Sequence, residues 1–207
     1  MRSQGSFKRA ACLLREAESL LIVPHLHPDG DALGSALGLY HALKQMGKTH
    51  VVVVSHDPVP EIYRFLPDWE RIQVEHSHHT TYDVAVVVDQ SQLNRAGKHE
   101  PLVRAARKIL QIDHHVLMEP FADVRLVDTG AAATAEVVYR LLRHMRLPLT
   151  HEVATCLLTG IVTDTFSFKF PNTTPRTLRI AAALQQAGAD LSYINEQVFE
   201  TRSFSAV

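Results

Sequence analysis

The sequence predicts a three-layer α/β/α fold with a mainly parallel sheet of about five strands. Continuous apolar runs such as Val84–Val88 alternate along the chain with segments whose apolar residues recur at helical spacing. The runs are apolar at every position, which is typical of parallel strands covered on both faces. Clusters of Asp and His follow several of the runs. In open parallel sheets, ligands bind outside these strand ends.

The first half of the chain contains three predicted strands and three predicted helices. An amphipathic helix at 7–18 precedes a buried strand at 20–24, and apolar residues at helical spacing indicate a helix at 31–46 that closes with Gly47. A strand follows at 51–54. Pro58, Pro60 and Pro67 then confine a short helix to about 61–66. The third strand is 84–88.

The second half continues the alternation. After a polar loop through Gly97 we predict a short helix at 101–106, a strand at 108–112 and a fifth strand at 124–127. Helices are predicted at 131–145, 150–162, 176–187 and 191–200. The length of 207 residues suits one domain, or one and a fraction.

Composition excludes several classes of protein. Apolar residues make up 46% and charged residues 21%, as in ordinary globular proteins, and the net charge of −1 gives no basic surface for long duplex DNA. No apolar stretch is long enough to span a bilayer, and Arg9 and Glu16 interrupt any signal-peptide core. Cys12 and Cys156 form no metal-type pair. We therefore expect a cytoplasmic protein without a membrane partner.

The segment after the first strand, His25-Leu-His-Pro-Asp29-Gly-Asp31, has the spacing of a metal site. Pro28 and Gly30 force a turn that can aim His25, Asp29 and Asp31 into one small volume, while His27 faces away or lines the rim. Asp31 also occupies the expected helix N-cap position. Asp and Gly before a helix are equally typical of ordinary capping, so this segment alone leaves both interpretations open.

Three more acidic or histidine clusters follow apolar runs. Asp89 alone could be a turn residue, and Asp164 alone could be an exposed helix end. In Asp113-His114-His115, the two histidines point in different directions at a strand end, so one can bind a metal while the other faces substrate. Four such clusters in strand-helix order indicate a shared site.

The donor types indicate the chemistry of this site. Carboxylates with a few imidazoles and no thiolates favour Mn²⁺, Mg²⁺ or Fe²⁺ over a structural zinc. A bridging carboxylate can hold two such ions about 3.5–4 Å apart, an arrangement that supports hydrolysis of phosphoesters or phosphoanhydrides.

Four segments of the chain resemble the DHH phosphoesterase superfamily, which is named for the motif Asp113-His114-His115. They are HLHPDGDALGS (25–35), VVVDQSQLNRAG (86–97), QIDHH (111–115) and GIVTDTFSFKFPNTT (160–174). The last segment most resembles the NrnA-type branch of bacterial oligoribonucleases and 3′-phosphoadenosine 5′-phosphate (pAp) phosphatases. The resemblance implies short oligoribonucleotides or nucleoside bisphosphates as substrates.

The resemblance also implies a two-metal site. The implied ligands are His25 and Asp29 for one Mn²⁺, Asp31, His114 and Asp164 for the other, and Asp89 as the bridge. Mg²⁺ and Co²⁺ are the expected substitutes. One departure from the family is Ala131-Ala-Ala before Thr134, where two hydroxyl contacts are expected to be missing.

Catalytic and substrate-binding roles follow from the same resemblance. His115 is expected to contact the scissile phosphate and to donate a proton to the leaving oxygen, while Asp113 orients a histidine. Arg95 and Lys169 are candidates for phosphate contact, and a solvated surface charge is the alternative for each. The tract from Glu75 to His79 is interpreted as a solvated loop.

The domain prediction assigns 1–188 to the DHH catalytic domain and 189–207 to the start of a linker helix, since nothing matches the family's C-terminal DHH-associated domain. Two alternative functions remain open. One is a manganese-type inorganic pyrophosphatase, and the other is a nucleotide-binding regulatory module. The sequence also leaves a homodimer open.

Overall fold

The computed structural model describes residues 2–77, 81–116 and 118–200. Within these ranges the strands are β1 (Ser19–Val23), β2 (His50–Val54), β3 (Ile72–Gln73), β4 (Val84–Val88), β5 (Lys108–Asp113) and β6 (Val124–Val127). They form one sheet in the order β3-β2-β1-β4-β5-β6, and every neighbouring pair is parallel. The predicted α/β/α fold is confirmed. The sheet has a sixth strand, β3, because two residues are too few for a periodic signal.

The helices are α1 (Arg2–Glu16), α2 (Gly30–Gln45), α3 (Glu100–Ala105), α4 (Thr134–His144), α5 (His151–Asp164), α6 (Pro175–Gln186) and α7 (Leu191–Asn195). A π-helical turn at Glu196–Glu200 extends α7, and short 3-10 segments lie at Glu61–Tyr63, Trp69–Arg71 and Leu93–His99. The first helix begins five residues before the predicted start, where the polar sequence Arg2-Ser-Gln-Gly hides it from an apolar pattern. In place of the helix predicted at 61–66, the structure has a 3-10 turn of three residues, Glu61–Tyr63.

Within the described ranges, none of the helices is long and apolar enough to cross a membrane. The end of the predicted linker helix, 201–207, lies outside the described residues.

Alternate residues of the central strands enter two different cores. Leu20 and Ile22 of β1 pack with α1, α2, α4 and α5 on one face of the sheet. Leu21 and Val23 pack with α3 and the Leu93–His99 segment on the other face. Both faces of the central strands are therefore covered, which explains why these strands are apolar at every position.

The strand order reverses between β1 and β4, the two central strands. In open parallel sheets, the loops at such a point run in opposite directions and leave a crevice beyond the carboxyl ends of the strands. The loops that follow β1, β4 and β5 carry three of the four acidic and histidine clusters. The topology therefore brings these clusters to one edge of the sheet.

The crossing of α2 and α5 depends on a glycine. A Cβ atom at Gly34 would lie 2.3 Å from the carbonyl oxygen of Cys156, which is a backbone atom and cannot rotate away. We expect Gly34→Ala to lower the free energy of unfolding by about 1–3 kcal/mol, because overpacking forces the helices apart. Chemical denaturation measures this change.

Gly5→Ala is the matched control, since a Cβ atom there meets nothing within 4 Å. In a helix such as α1 the control should be neutral or stabilising by about 0.5–1 kcal/mol. Equal stability of Gly34→Ala and the unmodified chain would contradict the close helix contact.

Candidate metal centre

Asp89 lies at the centre of the site. It follows β4 directly with a backbone φ of 59°, in the left-handed region that non-glycine residues rarely adopt. Its amide donates to the carbonyl of Ile112 at 3.0 Å, and its carboxylate accepts from the Thr134 hydroxyl at 2.8 Å. Only 2% of the residue is exposed. Such local strain costs about 1–3 kcal/mol and is concentrated at functional sites.

One group of donors joins Asp89 to the loop after β1. The His25 Nε2 atom lies 3.4 Å from Asp89 Oδ2 and 3.8 Å from Asp29 Oδ1. The other ring nitrogen, Nδ1, donates to the carbonyl of Leu26 at 2.7 Å. This contact fixes the ring orientation and turns Nε2 toward the carboxylates, as in a metal-binding histidine. Ligand atoms of His25, Asp29 and Asp89 all lie within 4.8 Å of one another.

Asp29, and not Asp31, is the N-cap of α2. Its Oδ1 accepts hydrogen bonds from the amides of Asp31 and Ala32, both at 3.0 Å. The helix begins at Gly30, one residue earlier than predicted, so Asp31 falls in its first turn. The sequence-based assignment of Asp31 to the cap was therefore wrong. The shift leaves the Asp31 carboxylate free to face other elements.

Asp31 is fully buried and is bound by the N-terminus of α4. Its Oδ2 accepts from the Thr134 amide at 2.6 Å, and its Oδ1 accepts from the Ala135 amide at 2.9 Å. The N-cap of α4 is Ala133, which offers no capping side chain, so Asp31 supplies the acceptor from another helix. The backbone amides of Thr134 and Ala135 therefore contact the site, whereas the alanines at 131–133 have no hydroxyl groups that could do so.

A second group of donors contains Asp31, His114 and Asp164. Their ligand atoms also lie within 4.8 Å of one another. The His114 Nε2 atom is 3.2 Å from Asp164 Oδ2 and 3.7 Å from Asp89 Oδ1. Its Nδ1 lies 3.3 Å from the carbonyl of Ala131, to which it donates. Both site histidines therefore turn Nε2 toward the carboxylates.

His115 is oriented by Asp113. Its Nδ1 donates to Asp113 Oδ1 at 2.8 Å, and the amides of His114 and His115 donate to the same oxygen at 2.8 and 3.1 Å. The His115 Nδ1 also lies 3.6 Å from Asp89, within a third metal-type group of Asp89, His114 and His115. The contact with Asp113 is shorter, so we assign the Nδ1 hydrogen bond of His115 to Asp113 and not to Asp89. The side chain of His115 is 45% exposed and available to a substrate.

Burial would raise the pKa of Asp113, but the hydrogen bonds from the His115 ring and from the two histidine amides outweigh it and hold this pKa below its usual value. Asp113 therefore stays ionised and can orient a protonated His115. Hydrogen bonding to Asp113, opposed by burial, raises the pKa of His115.

The buried carboxylates repel one another. Burial and the charges of Asp89 and Asp164 raise the pKa of Asp31 far above its usual value. Burial also raises the pKa of Asp164, although His114 opposes the shift. Burial would lower the pKa of His25 and of His114, but their hydrogen bonds to the surrounding carboxylates raise each to about 10. The site thus attracts positive charge strongly, which protons or a divalent cation can supply.

The donor set fits hard divalent cations. It comprises the carboxylates of Asp29, Asp31, Asp89 and Asp164 with the Nε2 atoms of His25 and His114. Neither cysteine joins it, since Cys12 is exposed on α1 and Cys156 is buried in α5 as expected. Oxygen donors with a minority of imidazoles suit Mn²⁺ or Mg²⁺ better than a structural zinc.

Arg95 and Lys169 stand apart from the three donor groups. The Leu26 amide donates to the carbonyl of Arg95 at 2.7 Å, which places this residue beside the loop that carries His25. Lys169 is exposed, with its Nζ atom 5.1 Å from the ring centroid of Phe166. No described contact joins either side chain to the site, so their roles in phosphate binding stay predictions.

Two weaker sequence signals have ordinary surroundings. His27 is 82% exposed, and its amide donates to Asp57 at 2.6 Å. His76 forms hydrogen bonds with Gln73 and with the Tyr82 hydroxyl, at 2.7 and 2.8 Å. His78 and His79 lie outside the described residues.

Sequence reasoning missed several residues that support the site. Thr134 donates to two of its carboxylates, and Asn172 and Arg176 hold the loop before α4. Asn172 belongs to a segment used for the family resemblance, and Thr134 follows the alanines at which the chain departs from the family, but their contacts join parts of the chain too distant for any local pattern.

This fold and site define a class of protein. Its members are parallel α/β proteins with a centre of carboxylates and imidazoles at the topological switch point. The chain belongs to the DHH family, since the profile of that family's N-terminal domain matches residues 19–161.

Named relatives agree with this assignment. The chain is 38% identical to the bifunctional oligoribonuclease and PAP phosphatase NrnA of Thermus thermophilus, over 86% of the chain and 53% of the relative. It is 30% identical to the Bacillus subtilis protein of the same name, over 89% of the chain and 58% of the relative. The chain thus spans little more than half the length of these relatives. An exopolyphosphatase-related protein from Bacteroides fragilis has a crystal structure similar to 97% of the chain and 62% of that protein, with a TM-score of 0.88 and 28% identity.

The raised pKa values of the site predict how pH affects the metal-free chain. His25 and His114 titrate near 6.5 when unfolded and near 10 when folded, so the folded state binds more protons between these values. Their contribution to stability is complete below pH 6.5 and is lost as pH rises toward 10. In EDTA, we expect Tm to fall between pH 6.5 and 9.5 by at least about 2–4 °C, which corresponds to about 1 kcal/mol at this size.

His25→Gln should reduce this slope, while the matched change at the exposed His144 should leave it unaltered. Excess Mn²⁺ should flatten the pH dependence, because a cation replaces the bound protons. A Tm that stays constant or rises over this pH range in EDTA would contradict the electrostatic description.

Proposed function

We propose that this chain forms the catalytic part of a phosphoesterase that uses two divalent cations to hydrolyse short oligoribonucleotides, pAp or both. The observation that carries the proposal is the position of Asp89 between two donor groups. Its Oδ2 faces His25 at 3.4 Å, and its Oδ1 faces His114 at 3.7 Å. One carboxylate with an oxygen toward each group is the arrangement that a bridging ligand requires.

The proposed metal ligands follow the two donor groups. His25 and Asp29 hold one ion, and Asp31, His114 and Asp164 hold the other. We propose Mn²⁺ as the resident metal, with Mg²⁺ and Co²⁺ as substitutes, since the donors are mainly oxygen. Two such ions, when bound, activate water and neutralise charge on the phosphoryl group and its leaving oxygen.

His115 and Asp113 carry the proton chemistry in this proposal. Asp113 accepts from Nδ1 of His115, which leaves the Nε2 atom of this half-exposed ring for the substrate. In its protonated form, His115 binds the scissile phosphate and donates its Nε2 proton to the leaving oxygen. The buried carboxylate keeps the ring oriented and stabilises its positive charge.

The substrate class rests on the relatives named for oligoribonuclease and PAP phosphatase activity. A chain with a net charge of −1 has no broad basic surface, so the cations at the site would attract a short anionic substrate. Residues 1–188 are the proposed catalytic domain, with 189–207 leading toward a further domain. That domain would add the remote binding energy that positions a substrate. A homodimer and a cytoplasmic location remain predictions.

Removal of the bridge should abolish the activity. We expect Asp89→Ala to lower kcat for hydrolysis of a diribonucleotide or pAp in Mn²⁺ by at least roughly 10²- to 10³-fold. This loss corresponds to the several kcal/mol of transition-state stabilisation that bound metals supply. Steady-state release of mononucleotide and of phosphate measures both reactions.

Asp123→Asn is the matched control, because that carboxylate pairs with Lys108 at the start of β5 and should leave turnover unchanged. Equal activity of Asp89→Ala and the unmodified chain would end the proposal. Faster phosphate release from pyrophosphate than from either nucleotide would favour a pyrophosphatase. Tight nucleotide binding without turnover would favour a regulatory module.

The proton-donor role of His115 predicts a dependence on the leaving group. We expect His115→Gln to lower kcat for a diribonucleotide by roughly 10²- to 10⁴-fold, which is the usual contribution of general acid–base catalysis. A nucleotide p-nitrophenyl ester should lose far less, since p-nitrophenolate leaves without a proton.

Metal binding separates this role from that of a ligand. His115→Gln should retain both Mn²⁺ ions in equilibrium titrations. If kcat fell equally for the two substrates and one metal ion was also lost, His115 would be a metal ligand beside Asp89 and not a proton donor.

A further inference from the structure

The loop between β6 and α4, residues 128–133, supports the second donor group from behind. Its Ala131 carbonyl accepts from Nδ1 of His114 at 3.3 Å. Immediately after it, the amides of Thr134 and Ala135 bind Asp31 at 2.6 and 2.9 Å. The position of this loop therefore determines where two of the three donors in that group lie.

The opposite side of the same loop is held by side chains from other parts of the chain. Asn172 Nδ2 donates to the Ala132 carbonyl at 3.1 Å, and Arg176 donates to the Gly130 carbonyl at 2.8 Å. The fully buried Glu136 accepts from the Ala132 amide at 3.3 Å and forms an ion pair with Arg176. The loop is thus fixed on both sides.

Asn172 connects this loop to the third donor of the group. Its Nδ2 atom also donates to the backbone carbonyl of Asp164 at 3.0 Å, at the end of α5. One amide group therefore joins the support of His114 and Asp31 to the residue that carries the third carboxylate. The residue itself is exposed, so its removal leaves the hydrophobic core intact.

His25 and Asp29 of the first donor group have separate supports, while Asp89, which accepts from Thr134, is shared with the second group. Nδ1 of His25 is bound by the Leu26 carbonyl, and Asp29 is fixed by two amides of its own helix. All of these contacts lie between the end of β1 and the first turn of α2. A disturbance at Asn172 therefore reaches the two donor groups unequally.

We propose that Asn172 is a positioning residue for one of the two metal ions, the ion held by Asp31, His114 and Asp164. The inference rests on the proposed two-metal function. Asn172 sets the separation of these three donors through Ala132 and Asp164, and it contacts neither metal nor substrate. Loss of comparable supporting contacts typically weakens metal binding by about 10- to 100-fold.

The test is an equilibrium titration of the full chain with Mn²⁺, in which the electron paramagnetic resonance signal of free Mn²⁺ reports the number and affinity of bound ions. Asn172→Ala should weaken one of two binding events by at least about tenfold and leave the other within about twofold. The exposed Asn94 provides a matched control, since Asn94→Ala should leave both events unchanged.

Double variants identify the ion that is affected. In an Asp29→Asn background, Asn172→Ala should weaken the remaining ion, whereas in an Asp164→Asn background it should have no further effect. Tm in EDTA should stay within about 2 °C of the unmodified chain, as for other surface substitutions.

Equal weakening of both ions in Asn172→Ala would overturn the inference, because a general structural role affects both. Unchanged binding of both ions would overturn it as well and would leave the two-metal proposal intact. Failure of the unmodified chain to bind Mn²⁺ would reject the proposed metal centre itself, and the role of Asn172 with it.

Discussion

The buried carboxylate of Asp31 connects the fold of this protein to its candidate site. It accepts two amides at the N-terminus of α4, which lies more than one hundred residues further along the chain. A carboxyl group without such partners would be costly to bury, and an uncapped helix end would also leave its amides unsatisfied. Each group therefore stabilises the other. The contact also places the start of α4 beside Asp89, where Thr134 can donate to it.

Close helix packing makes this contact geometrically accessible. A Cβ atom at Gly160 would lie 2.7 Å from Asp31 Oδ1, and one at Gly30 would lie 2.4 Å from the Thr163 side chain. Both positions lie where α2 and α5 approach, so the small residues bring Asp31 and Asp164 into one cluster. The fold thus buries negative charge at a strand edge, and the raised pKa values of Asp31 and Asp164 follow from burial first and from the charges of neighbouring carboxylates second. A polar site of this kind is stable only with compensating positive charge.

Much of the framework could be predicted from local sequence patterns. Largely apolar runs identified five of the six strands, and polar residues after those runs indicated the edge at which the donors meet. The two-residue strand β3 and the exact start of α2 carry no such pattern, which is why Asp31 was assigned the capping position that Asp29 holds. The contacts of Thr134, Asn172 and Arg176 were beyond prediction, because they depend on how distant helices and loops pack.

Anomalous diffraction from crystals grown with Mn²⁺ can determine whether Asp89 bridges two metal ions. If it does, two manganese peaks should lie about 3.5–4 Å apart, with one oxygen of Asp89 bound to each. His25 and Asp29 should complete one ion, and Asp31, His114 and Asp164 the other. A single peak, or two peaks of which only one contacts Asp89, would show that Asp89 is not a bridging ligand.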